Sequence, residues 1–217
     1  MVNTYQSKYS GCTACVVLVR NDTLYIANLG DSRAVLAQHH SGGDNPRTQQ
    51  YKAIDLTYDQ HPALPEERTR IERSGGHVSF SEGAGRARVW LDAQCSKYGL
   101  AMSRAIGDHA MKGIGVSAEP VVSTHTLTDE DEFLILATDG VWSVLDSSQA
   151  VDLVGELLDS GEGASVACGV LIETAMEIWR ACEGDYRDDV TAVVVRMKDL
   201  WKKEVNSGRP VEGNHPK

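Results

Sequence analysis

The run Phe133-Leu134-Ile135-Leu136-Ala137 is apolar at every position and stops abruptly at Thr138-Asp139-Gly140. Side chains of a strand alternate between two faces, so a strand without a polar face must be covered on both. The run therefore predicts a central strand, and its neighbours decide the architecture. Val121 to Leu127 reads as another strand. Cys12 to Arg20 and Leu24 to Asn28 read as a hairpin turned by Asn21-Asp22, and Ala34 to Ala37, Tyr51 to Leu56 and Val190 to Val195 read as further strands. A weaker strand pattern lies around Arg88 to Leu91. Ser147 to Asp159 and Ala164 to Arg180 carry apolar stripes at helical spacing, and Pro65-Glu66-Glu67 with Gly75-Gly76 brackets a short helix. Strands in two clusters with helices between them predict an α+β fold, an antiparallel sheet or sandwich flanked by helices.

A chain of 217 residues suits one large domain, and no linker or internal repeat divides it. Gln38 to Gln50 has the composition of an exposed loop, and Asn206 to Lys217 that of a loosely ordered tail. The net charge of −10 offers no basic stripe to a polyphosphate backbone, which argues against a nucleic-acid partner. Five cysteines in a chain this size, with no apolar leader over Met1 to Tyr9, point to a reducing, intracellular setting, cytoplasmic or nuclear. No run reaches the ~18 apolar residues of a membrane span, so no membrane partner is expected.

Three aspartates stand where apolar runs end: Asp139 after the covered strand, Asp188 with Asp189 before Val190, and Asp31 in Gly30-Asp31-Ser32-Arg33. An ionised carboxylate in such a place needs a cation, a salt partner or several hydrogen bonds. Oxygen ligands without a histidine or thiolate cluster suit Mg²⁺ or Mn²⁺ and not zinc. The plainer alternative is a set of solvated turns. Adjacent acids on a strand face opposite sides, so at most one of Asp188 and Asp189 should reach a shared site. Cys12 and Cys15 have the spacing of a redox pair or half a zinc site, but no second such pair exists, and structural thiols are the expected reading. The histidines are scattered without a triad pattern, and Gly83-Ala84-Gly85 and Gly113-Ile114-Gly115 lack the strand and helix context of a nucleotide loop.

Five segments in order resemble the successive signature blocks of the type 2C metal-dependent serine/threonine protein phosphatases: Ser10 to Ala14, Ala27 to Leu36, Gly99 to Asp108, Phe133 to Trp142 and Arg187 to Thr191. Pro62, Pro65, Glu67 and Gly75-Gly76 sit where that family also has them. The resemblance implies a β-sandwich of two antiparallel sheets flanked by helices, corresponding here to the C-terminal two-thirds or so of such a domain and incomplete at its N-terminus. It implies a polar lead over 1–9, the phosphatase-like domain over 10–197 and a polar tail over 198–217. It also implies two Mg²⁺ or Mn²⁺ ions that activate a water against the phosphorus of phosphoserine or phosphothreonine in protein substrates. By position, Asp139 and Asp188 would be metal ligands, Asp31 would help hold a third, weaker ion, and Asp108 would be structural. The family's phosphate-binding arginine, its Asp-Gly-His-Gly-Gly element and its acid histidine have no counterpart in this sequence, so no catalytic residue is assigned and weak or absent activity of this chain alone is expected. Ser143 stands for a usual aspartate, Gln60 for a common histidine and Asp189 for the usual asparagine. Two other readings remain at this point: an inactive phosphatase-like binding or regulatory module, and a thiol redox protein using Cys12 and Cys15, which would require a depressed thiol pKa.

Overall fold

The structure, a computed structural model, describes residues 7–39, 51–80 and 87–200. Most of the loop expected over Gln38 to Gln50, and the tail from Asn206, lie outside them.

The first half of the chain forms β1 (Gly11–Cys12), β2 (Ala14–Arg20), β3 (Thr23–Leu29), β4 (Arg33–His39), β5 (Tyr51–Asp55) and α1 (Pro65–Arg73). Next come β6 (His77–Phe80), β7 (Ala87–Trp90), β8 (Gly99–Leu100), β9 (Ile106–Gly107) and α2 (His109–Lys112). The remainder is β10 (Val121–Thr126), β11 (Asp131–Ala137), α3 (Asp139–Trp142), α4 (Ser147–Asp159), α5 (Ala164–Glu183) and β12 (Ala192–Arg196).

The β2–β3 hairpin turns where the sequence pattern places it, with Arg20 paired to Thr23 and Asn21 at φ 57°, a left-handed conformation that asparagine tolerates. Together with β10 the hairpin makes a three-stranded antiparallel sheet in the order β10-β3-β2. The second sheet is four-stranded, in the order β12-β11-β4-β5, again antiparallel throughout. The apolar run is therefore the inner strand β11. Its alternate residues enter two cores: Leu134, with Leu36, meets Leu24 and Ile26 of the other sheet, while Phe133, Ile135 and Ala137 meet Val151 and Val154 of α4 and Leu171 and Ala175 of α5. Burying each large apolar side chain stabilises the fold by about 1.5–3 kcal/mol, which explains why no position in the run is polar.

This is an α+β fold, an antiparallel sandwich with helices on the outer face of the four-stranded sheet, as the pattern predicts. Among the described residues, the outer face of the three-stranded sheet is open. Val16, Ala27 and Val122 form one row across it and Leu18, Tyr25 and Thr124 the next, with Val16, Leu18, Tyr25 and Val122 all exposed.

α4 starts in a capping box: Asp146 accepts from the Gln149 amide at 2.8 Å and Gln149 Oε1 accepts from the Asp146 amide at 2.9 Å. Such a cap is worth about 1 kcal/mol. A separate small core of Ile71, Val89, Met111 and Val116 carries α1, β7 and α2 beside the sandwich. Several elements differ from the sequence reading, and the run Cys12 to Arg20 is divided at Thr13 into β1 and β2. α5 continues past Arg180 to Glu183, and β12 begins at Ala192 rather than Val190 because the backbone of Asp189 and Val190 is pressed against Gly140 instead of pairing in the sheet.

Candidate metal centre

β4, β11 and β12 end together. Arg33 is opposite Ala137, and Ala137 is opposite Ala192, so the segments flanking these three residues leave the sheet at the same end. Asp31 lies in the turn that carries the chain from β3 of one sheet to β4 of the other, Asp139 opens α3 directly after β11, and Asp188 lies in the irregular approach to β12. Asp31 is only 3% exposed, Asp139 and Asp188 are half-buried, and Asp189 is exposed. Neither Asp188 nor Asp189 is on a strand, so the alternation argument does not apply to them.

The backbone around these acids is tightly laced. Thr138 Oγ1 donates to the Asp189 carbonyl at 3.2 Å, and the Thr191 amide donates back to the same hydroxyl at 3.2 Å. A Cβ on Gly140 would lie 2.3 Å from the Asp189 carbonyl oxygen, so only glycine permits this approach. Asp188 Oδ1 accepts from the Asp189 amide at 2.8 Å. Trp142, the last residue of α3, is buried and donates its indole N–H to the Ala137 carbonyl at 2.8 Å, with the Arg33 guanidinium 5.2 Å over its ring. In kind, three carboxylates at one sheet end fit a hard divalent cation. In number they are a partial set: among the described residues no three His, Cys, Asp or Glu side chains converge as a metal-holding group.

Sequence reasoning missed the residues that hold this end in place. Gln60, read only as a departure from a family histidine, is fully buried. Its Oε1 accepts from the Gly30 amide at 2.7 Å and its Nε2 donates to the Asn28 carbonyl at 3.1 Å, so it braces the turn beside Asp31. Gly30 itself, at φ 103°, abuts Thr13, whose hydroxyl is 2.8 Å from Ser32 Oγ. Arg33 grips Asp59 with two bonds of 2.8 Å and donates to Ser147 at 2.9 Å. Burial pushes the Asp59 carboxyl up, but the hydrogen bonds from Arg33 and His61 outweigh it and hold the group at about 2. Glu67, completely buried, accepts from Arg70, Arg104 and Ser103 and joins α1 to the segment before β9. No periodicity marks most of these contacts, because apart from Glu67 with Arg70 and Asp59 with His61 they join residues distant in sequence.

The thiol reading fails. Cys12 and Cys15 are free thiols on two different strands, and burial, aided by the negative charge of Asp59, pushes Cys15 up to about 11. A thiol held that high is poorly ionised and does not serve as a redox nucleophile. Asp108, taken as structural, is buried at φ 46°, accepts from Tyr98 at 2.9 Å and packs where Gly11 has no side chain. A cleft of about 640 Å³ near Arg33, Asp59, Tyr58 and Val121 includes none of the three aspartates in its lining.

The sequence model of the family described as Protein phosphatase 2C matches residues 1–181. The chain belongs to the protein phosphatase 2C family. Among curated proteins it is 41% identical over 192 residues to "Probable protein phosphatase 2C 38" of Oryza sativa subsp. japonica, covering 88% of this chain and 39% of that protein. It is 37% identical over 200 residues to "Probable protein phosphatase 2C 72" of Arabidopsis thaliana, covering 91% of this chain and 57% of that protein. The chain thus spans roughly a third to three-fifths of the length of the curated relatives it matches. A crystal structure of a serine-threonine phosphatase 2C from Toxoplasma gondii shares the fold, with a TM-score of 0.75 at 24% identity over 88% of this chain and 60% of that one. A second Toxoplasma gondii phosphatase superposes with a TM-score of 0.60 at 27% identity, over 79% of this chain and 47% of that one. Among the described residues of this protein phosphatase 2C chain, no helix is long and apolar enough to cross a membrane.

Proposed function

We propose that this protein phosphatase 2C chain serves in metal-dependent hydrolysis of phosphoserine and phosphothreonine in protein substrates, with Asp139 and Asp188 as ligands of a Mg²⁺ or Mn²⁺ pair and Asp31 contributing to a third, weaker ion. The observation that supports the reading is the common sheet end: in the Arg33, Ala137 and Ala192 register, the segments that carry the three aspartates leave the sheet at the same end. Ions bound at such a site acidify a water into a nucleophile for phosphorus. The residues of this chain supply the fixed negative charge that such ions require. Thr138 and Gly140 keep the Asp139 and Asp188 segments in contact, Gln60 braces the Asp31 turn, and Ser143, an alcohol where the family usually has a carboxylate, makes the third position the weaker one. The names of the relatives as phosphatases favour hydrolysis over an inactive module. The domain of residues 10–197 is the proposed unit of this function.

The test is Mn²⁺ titration by calorimetry together with a phosphopeptide assay, on the chain and on Asp139→Asn. Two carboxylates hold an ion weakly, so weak Mn²⁺ binding and poor turnover by this chain are expected. Asp139→Asn should weaken the ion at least about tenfold, the effect typical of disturbing a ligand shell. Unchanged Mn²⁺ affinity in Asp139→Asn would refute the assignment of the ligands.

A further inference from the structure

Asp139 is bracketed by two tryptophans. Trp142, within the signature block, donates to the carbonyl of Ala137, two residues before Asp139. Trp179, outside every block, donates its indole N–H to the carbonyl of Gly140, one residue after it, at 2.7 Å. Trp179 lies in the last turns of α5 and is half-buried, outside the clusters that form the hydrophobic cores. Its ring meets Tyr186 edge to face, with centroids 6.0 Å apart and planes at 78°. Tyr186 is 63% exposed and precedes Asp188 by two positions. One indole therefore touches both segments that carry the candidate ligands, and those segments are already in contact where Asp189 meets Gly140.

We propose that Trp179 is a positioning residue that clamps the Asp139 turn to the Tyr186–Asp188 approach and so sets the separation of the two carboxylates. The inference rests on the reading of Asp139 and Asp188 as metal ligands. An indole N–H can only donate, and here it donates to a carbonyl at the first turn of α3. The same ring gives the loop beyond Gly184 a rigid surface to pack on. An ion shared by two carboxylates tolerates little variation in their spacing, and partners outside the ligand shell that fix ligand orientation typically change metal affinity by about 10–100-fold when removed.

Hydrogen exchange and Mn²⁺ calorimetry on the chain, Trp179→Phe, Tyr186→Leu and Asp139→Asn test this. Trp179→Phe keeps an aromatic ring but removes the donor, and Tyr186→Leu removes the exposed edge contact without touching the core. Both should speed amide exchange in 139–142 and 186–191 while leaving 133–137 unchanged, and Trp179→Phe should weaken Mn²⁺ about tenfold with little change in the unfolding temperature. The clamp is overturned if exchange in those two segments is unaltered in both variants. It is also overturned if Trp179→Phe lowers the unfolding temperature and speeds exchange throughout the sheet, as loss of a core residue would. Unaltered Mn²⁺ binding in Asp139→Asn, or none by the chain itself, removes the metal reading instead, and the exchange data then decide the clamp alone.

Discussion

Replacing Glu67 by glutamine should destabilise the protein substantially at neutral pH and progressively less in acid. Glu67 is completely buried and faces Arg70 through bonds of 2.6 and 2.8 Å and Arg104 through bonds of 2.7 and 3.1 Å, with the Ser103 hydroxyl also donating to it. Burial alone would raise its pKa. The hydrogen bonds from Arg70, Arg104 and Ser103 prevail and lower the group from 4.5 to about 2. At about 1.4 kcal/mol for each pH unit, that displacement corresponds to roughly 3 kcal/mol of stability. Because the folded pKa lies below the unfolded one, this stability is present in full above about pH 4.5 and is lost as pH falls towards about 2; less than half should survive at about pH 3. Glutamine keeps the volume but points an amide N–H₂ at guanidinium donors, so the charges of Arg70 and Arg104 lose their partner. Urea unfolding of both proteins at about pH 7 and about pH 3 measures the difference directly. In a domain of this size about 3 kcal/mol also lowers the unfolding temperature by roughly 6–12 °C. A difference below about 0.5 kcal/mol at neutral pH, or one that does not narrow in acid, would refute the reasoning.

Gly140→Ala should cost about 1–3 kcal/mol, the usual penalty of overpacking, because the new methyl meets the Asp189 carbonyl at 2.3 Å; thermal unfolding reads the cost, and a neutral effect would show that the two segments separate freely. Iodoacetamide at mildly alkaline pH should alkylate exposed Cys12 well before Cys15, whose thiol is pushed up to about 11; peptide mass spectrometry that finds Cys15 modified first would contradict the burial argument. The open face of the three-stranded sheet should bind a hydrophobic dye, and Leu18→Lys with Val122→Lys should abolish most of that signal; undiminished fluorescence would place the apolar surface elsewhere.

The covered run at Phe133 to Ala137 was legible as the inner strand of a layered fold because its physical requirement, burial on both faces, is written in consecutive residues. The β2–β3 hairpin and the two long helices were legible for the same reason: a turn pair and an apolar stripe are local signals. The short strands β1, β6, β8 and β9, and the four-residue helices α2 and α3, carry too few residues for a period to emerge. Asp31, Asp139 and Asp188 could be nominated from the ends of apolar runs. That their segments leave the sheet together could not, since the shared end is a consequence of strand order β12-β11-β4-β5.

By itself, then, the amino-acid sequence determined the longer strands and helices, which strand lies inside, and which acids stand at the ends of apolar runs. Tertiary structure alone decided what those acids rest on. Gln60 reaching back to Gly30, Glu67 spanning to Arg104, Gly140 yielding space to Asp189 and Trp179 donating to the Gly140 carbonyl are pairings between residues distant along the chain. Hydrophobic periodicity records the direction a side chain faces relative to its own backbone. It holds no record of which distant carbonyl or carboxylate the folded chain brings to meet it.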